Sequence, residues 1–331
     1  MSSQSSSIQY ILSLKLALQY LYEFGGPILT CIGTISCILS LIVFSKKNLR
    51  KNPCAMYLLA FNIINLILVY SSILSVSLSI GYGISPAQHN LAYCRYNLYM
   101  SILLDVLGPS YLILASIDRV LITSPNTETR RRSTRRLAYI SIIGVTLFWA
   151  LFHSHILVLA NITPVAPGVF ICYFQSGIES SFISYYLLIV KTFLLPLLMI
   201  IFALLIMRNI RKVRRNVVVP FLSTTIKTTM KHDMPSTTMN TPNNSKDRQL
   251  FLMLFVDIVV YITLGLMLSA VMLYQQLTQY NVKTAAQTEL DLVLRYTGTF
   301  INAISSCIGC YTNFMISKTF RTEIKQIIFC K

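Results

Sequence analysis

Long runs of apolar residues, bounded by clusters of positive charge, constrain this chain more than any other feature. Seven such runs occupy residues 24–44, 54–80, 96–122, 137–160, 182–207, 249–274 and 290–313. The third is interrupted only by Asp105 and by Asp118–Arg119. The seventh is the most dilute, because Arg295, Asn302 and several small polar residues lie within it. A bilayer core about 30 Å thick needs roughly 20 helical residues to cross it, and each run is long enough. Backbone groups in lipid must bond within their own segment, which selects helices. The two-residue alternation of a barrel strand is missing. Buried helices of a large soluble α protein are the alternative, and seven such lengths with so little charge disfavour it. The expected fold is therefore an all-α membrane protein, a seven-helix transmembrane bundle.

Charge placement sets the expected orientation. The sequence holds 28 Lys and Arg against 11 Asp and Glu, a formal net charge of +17. Such an excess can mark a nucleic-acid surface. Here 23 of the 28 cations fall in four clusters, at 46–51, 119–136, 208–248 and 318–331. These follow runs 1, 3, 5 and 7, so the positive-inside rule places them and the C-terminus in the cytoplasm. The excess reads as topology, and no nucleic-acid partner is expected. Charged residues make up only 12% of the chain, about half the share usual in soluble domains. Residues 1–23 are expected outside; their opening MSSQSSSIQ lacks the basic start of a signal peptide. Residues 208–248 form an expected third cytoplasmic loop, rich in Ser, Thr, Pro and Asn and a possible phosphorylation target. Residues 314–331 form a tail whose mixed apolar and basic residues suit a short amphipathic helix at the interface.

Outside features agree with this orientation. Asn161-Ile162-Thr163 is an N-glycosylation sequon between runs 4 and 5. Asn243-Asn244-Ser245 has the same pattern on the cytoplasmic side, where it stays unmodified. Cys94 opens run 3 and Cys172 precedes run 5, both on the oxidising side. A bridge between them would tie the loop over the mouth of the bundle. Cys31, Cys37, Cys54, Cys307 and Cys310 read as small packing residues, and Cys330 in the tail as a palmitoylation candidate.

No motif of a reaction centre or cofactor site is present, and neither an enzyme nor a bound cofactor is expected. His153 and His155 are two residues apart, on different helix faces, and read as packing or loop histidines. The informative polar group is Asp118-Arg119 at the inner end of run 3. In its setting, Ser116-Ile117-Asp118-Arg119-Val120, it resembles the Asp-Arg-Tyr signature of the rhodopsin-like (class A) G-protein-coupled receptors. Other residues extend the resemblance over about residues 22–329. Cys94 lies 25 residues before Arg119, the family's spacing. Cys172 corresponds to the family's bridge partner, Trp149 to its span-4 tryptophan and Pro196 to its span-5 proline. Asn65 stands at the position of the span-2 acid.

The departures are equally specific. Asn65 is neutral, which removes the carboxylate of the family's sodium site. The sixth run lacks both the tryptophan and the proline of the Cys-Trp-x-Pro motif, so the resemblance implies for Tyr261 part of an aromatic switch role. In the seventh, Gly309-Cys310 occupies the place of Asn-Pro, with Asn313 at the tyrosine position. Asp257 inside the sixth run needs a polar partner that the sequence does not identify.

The resemblance implies a receptor of the plasma membrane. Asp118 would hold Arg119 in the inactive form, and Arg119 would meet a heterotrimeric G protein once the inner ends of runs 3, 5 and 6 open. Arrestin and a receptor kinase are further implied partners. Ser101 replaces the aspartate that holds amines in aminergic relatives, and no span-7 lysine is available for retinal. Asp105, one turn deeper on the same face, is a candidate for a cationic group or for a helix–helix contact. Tyr96, Tyr99, Glu179, Tyr185 and Arg295 complete the candidate ligand residues. An aromatic rim of mixed charge suits peptides, so the expected ligand is neuropeptide-like. The competing readings are a constitutively active or atypical orphan or chemosensory receptor and, more distantly, a transporter, which would show an internal repeat and broken half-helices.

Overall fold

The computed structural model describes residues 2–47, 49–166, 169–174, 178–222, 244–278 and 281–328; the side chains of 2–8, 164–169, 171, 178–180, 212–222, 244–248 and 327–328 fall outside the description. It is a membrane bundle of long helices. Among the described residues, six are long and apolar enough to cross a bilayer, over Gln9–Ser45, Pro53–Gly81, Leu91–Thr123, Arg135–Leu159, Ser181–Arg211 and Gln249–Leu277. A seventh, Ala285–Cys307 continued by Gly309–Ile316, packs with them but is less apolar. In chain order they are numbered spans 1 to 7, the last by its packing and not by its hydropathy. Helix Lys318–Ile328 follows.

Span 1 starts earlier than the apolar run suggests. Helix Ser2–Tyr20 passes through a π turn, Leu21–Gly25, straight into Gly26–Ser45. The 37 residues of its apolar length measure roughly 55 Å at 1.5 Å per residue, so this helix outruns a bilayer core. Helix continues beyond the apolar spans on both sides of the expected third loop, to Leu222 after span 5 and from Asn244 before span 6.

Prolines and caps explain the helix boundaries. Asn52 caps span 2 by accepting from the Cys54 N–H, with Pro53 in the first turn, where its missing N–H is harmless. Thr284 and Gln287 form a reciprocal capping box at the start of span 7. In span 5 a widened π turn, Leu187–Leu194, leads into Pro196, and the Leu195 N–H reaches back to the Val190 carbonyl. Pro109 lies inside span 3. A proline there removes the N–H that would bond the carbonyl four residues back, at Asp105.

Span 3 is the most enclosed helix and span 4 the least. Ile140, Ile143, Leu147, Phe148 and Leu151 of span 4 are exposed, as a lipid-facing stripe would be. The inner face of span 4 is specific: Trp149 Nε1 donates to the Ser110 hydroxyl of span 3 at 3.0 Å. His153 is buried, bonded to the Trp149 carbonyl and the Tyr186 hydroxyl. Small residues let spans 1 and 7 approach. A Cβ on Gly33 would stand 2.7 Å from Cys307 Sγ, and the Ser36 hydroxyl accepts from the Cys310 N–H at 3.0 Å.

Gly81, at the end of span 2, meets the backbone of span 1. A Cβ there would lie 2.8 Å from the Glu23 nitrogen and 2.9 Å from its Cα, and backbone cannot swing aside. Gly81→Val is expected to lower stability by about 1–3 kcal/mol, the usual range for overpacking. Thermal unfolding in micelles measures it; an unchanged transition would contradict this packing.

The bundle is all-α, as expected, but one connection is not helical. The connection from span 4 to span 5 contains an antiparallel hairpin, β1 (Ala160–Ala166) and β2 (Val169–Phe174), with Ile162 opposite Cys172. Ile, Val, Thr and aromatic residues favour strands. The hairpin is short and held from outside, which compensates for the marginal stability of two strands alone.

Candidate functional site

Two sites face each other along the bundle. At the hairpin end the helices enclose a cavity of about 500 Å³, within the range of small-molecule pockets. Ser101 and Asp105 of span 3, Lys191 and Pro196 of span 5, Tyr261 of span 6 and Arg295 of span 7 all line it. Asn65 and Asp257 reach its deeper part.

The hairpin is fixed to the mouth at three points. Cys172 is disulfide-bonded to Cys94 at the start of span 3. Arg95 Nε donates to the Ala160 carbonyl at 3.0 Å. The Tyr173 ring lies 5.9 Å from the Arg295 guanidinium, a cation–π distance. Asn161 of the sequon sits on β1.

Asp105 is bonded to the ammonium of Lys191. Of the two roles open to this acid in the sequence, the structure shows the helix–helix contact. Both charges are partly enclosed, at 27% and 17% exposure, so neither is offered bare to the cavity. Lys191 was legible in the sequence as a cation with no cluster around it. A lone acid and a lone base in neighbouring spans ought to be tested as a pair.

Other rim residues are scattered. The Tyr99 hydroxyl donates to the Ala150 carbonyl at 3.2 Å. Tyr96 and Tyr185 are exposed, and none of these three tyrosines lines the cavity. The side chain of Glu179 and all of Cys330 lie outside the described residues. Glu289 pairs with Lys15 at 2.9 Å, and Asp291 with Lys283 at 2.5 Å.

The second site lies at the opposite end. Arg119 is only 2% exposed. Its guanidinium donates to Asn52 Oδ1 at 2.5 Å and lies 3.9 Å from the Asp118 carboxylate. Asp118 in turn accepts from the Ser133 hydroxyl in the connection to span 4. The span-2 cap therefore has a second duty, which sequence reading missed. The Asn-Pro pair announces a cap, but nothing local says that the same oxygen also holds an arginine 67 residues away.

Two further contacts tie span 6 to the end of the chain. Gln249 Oε1, at the start of span 6, accepts from the Ser317 hydroxyl at 3.0 Å and the Thr319 N–H at 2.9 Å. Asp257 is buried beside the side chain of Asn313, its polar neighbour in the last segment of the bundle. That supplies the partner the sequence left unnamed. Lys46 bonds Glu323, and Phe44 packs on Phe320, so the final helix is joined to span 1 as well. Span 7 breaks at Ile308, between its two helical segments. The break occurs beside Gly309-Cys310, with no proline to force it.

Sequence comparison agrees with this arrangement. The family model described as "7 transmembrane receptor (rhodopsin family)" matches residues 36–311. No curated protein matches the chain.

Proposed function

Because the chain belongs to the rhodopsin-like family of seven-transmembrane receptors, a non-catalytic family of multi-pass plasma-membrane proteins, we propose that it transmits binding of an extracellular ligand to a heterotrimeric G protein. In this reading the hairpin end and the N-terminus are outside, and the Arg119 end and the tail are cytoplasmic, as the basic clusters require. The observation that carries the reading is the pairing of a ligand-sized cavity at one end with a buried, bonded Arg119 at the other. The two are joined by span 3, which supplies both Asp105 and Arg119.

The mechanism is a population shift. Asn52 and Asp118 hold Arg119 inside the closed bundle, while Gln249 and Asp257 hold span 6 against the last segment of the chain. A ligand that binds better when spans 3, 5 and 6 spread at their inner ends favours the open form. Arg119 is then released toward the G protein. Tyr261 lines the cavity four residues after Asp257 on span 6, and in this reading it couples the ligand to the inner half of that span. Pro196 and the π turn before it mark where span 5 can flex. Asn161 is proposed as a glycosylation site, Cys330 as an acylation site, and arrestin and a receptor kinase as later partners.

A second reading, a constitutive or atypical receptor, is favoured by one observation. Span 6 lacks the proline that normally kinks it, and its helix runs unbroken over Asn244–Leu277. A peptide-library screen on cells expressing the chain, read out across the G-protein classes, separates the two. Ligand-dependent signalling that falls to background in Arg119→Ala is the expected result. Signalling equal with and without every ligand would support the constitutive form. Solute flux without any G-protein signal would return the chain to the transporter class.

A further inference from the structure

We propose that the cavity takes an apolar ligand bearing a single anionic group, a carboxylate, which docks on Arg295. The inference rests on the receptor reading of the same cavity and names the chemistry of its occupant. It begins from the pairing of charges at the hairpin end. Asp105 is taken by Lys191, Glu289 by Lys15 and Asp291 by Lys283. Arg95 is bonded to the Ala160 carbonyl. Arg295 lines the cavity, yet among the described residues no carboxylate is bonded to it. Its charged group has the Tyr173 ring beside it at 5.9 Å.

A cation on a largely apolar wall loses hydration, and one ring face replaces only part of it. An entering carboxylate would restore a full charge-assisted contact, and the planar guanidinium presents two parallel donors suited to it. The same arrangement rejects amines. Among the described residues of the outer wall, the one acid, Asp105, is neutralised by Lys191, and Arg295 repels a second cation. The cavity wall is mostly apolar or aromatic, with Tyr22, Leu187, Leu268, Leu273 and Phe300 in its lining, and Ser101, Ser269 and Thr299 add scattered hydroxyls. The body of the ligand is therefore apolar. Tyr173 belongs to β2, so a carboxylate drawing on Arg295 also acts on the hairpin that covers the mouth.

Two sources share this chemistry: the free C-terminus of a short peptide, and a small apolar acid. The test uses the full chain in micelles and reads ligand-induced thermal stabilisation, which needs no G protein. One probe series is a set of tetrapeptides with apolar C-terminal residues, each as free acid and as C-terminal amide. The other is a set of medium-chain fatty acids with their amides. Acids from one series are expected to stabilise the protein and the matching amides to fail, the responding series identifying the source. In Arg295→Gln the binding should weaken roughly ten- to hundredfold, the range for losing a hydrogen bond to a charged group. Arg295→Lys should keep part of it. Equal binding of acids and amides, loss-free binding to Arg295→Gln, or no stabilisation by either acid series would overturn the proposal. Acid binding without any G-protein response would leave the anion site standing and refute the receptor reading instead.

Discussion

Asp105→Ala is expected to cost the folded protein about 2–3 kcal/mol and Lys191→Ala about as much, while the double variant recovers most of the loss. Removing one partner of a buried ion pair strands the other charge, typically at 3–5 kcal/mol, whereas removing both is often nearly neutral. The lower figure follows from the site. Asp105 and Lys191 keep 27% and 17% exposure toward the cavity, so the stranded charge retains some water. The pair also joins spans 3 and 5 beside two weak points. Pro109 leaves the Asp105 carbonyl without its helical N–H, and span 5 widens into a π turn over Leu187–Leu194, which contains Lys191. A double-mutant cycle on unfolding in micelles checks the coupling; additive losses would mean the two charges do not depend on each other. A second consequence is qualitative. Lys191→Ala leaves Asp105 as an open acid in the wall, so apolar amines should stabilise that variant and leave the parent unaffected.

The ion pair also shows how far the sequence could be read. Helix positions were legible because exclusion of charge from lipid is a strong, local signal; spans 2 and 4 begin and end within about two residues of the apolar runs. The start of span 1 was not, because the polar Ser and Gln of the first turns look like a loop although they continue the helix. The hairpin was obscured for another reason. Its strands are short, one contains Pro164, and their pairing is irregular between Pro164 and Ala166, so alternation is poorly developed. At the site, residue types were legible and partners were not. Asp105, Asp257 and Arg119 each stood out as charges that lipid would not tolerate alone. Their partners Lys191, Asn313 and Asn52 lie 86, 56 and 67 residues away in sequence, and only the folded bundle brings them together. Span 7 makes the converse point. The Asn-Pro pair is replaced by Gly309-Cys310, yet the helix still breaks at Ile308, where glycine follows and helical propensity is low.

Asn52→Ser should raise signalling in the absence of ligand. Asn52 Oδ1 serves two donors, the Cys54 N–H that caps span 2 and the Arg119 guanidinium. Serine is an equally good N-cap, but its shorter side chain cannot keep both contacts, so the substitution separates the latch from the cap. A hydrogen bond to a charged group contributes about 1.5–3 kcal/mol. Lost from the closed form alone, that shifts the closed-to-open ratio roughly ten- to hundredfold. The visible rise depends on how rare the open form is at rest, and basal nucleotide exchange on a G protein in membranes measures it. Asn52→Asp should act in the opposite sense, since a carboxylate caps the helix and binds Arg119 more strongly. Ser133→Ala should raise basal exchange less, because Ser133 bonds Asp118, which in turn lies beside Arg119. Unfolding temperatures separate the effects: Asn52→Ser should melt close to the parent, whereas Asn52→Ala loses the cap too, at about 1 kcal/mol. Basal exchange that follows the melting temperature across the four variants, rather than the bond to Arg119, would show that Asn52 supports span 2 and does not latch the receptor.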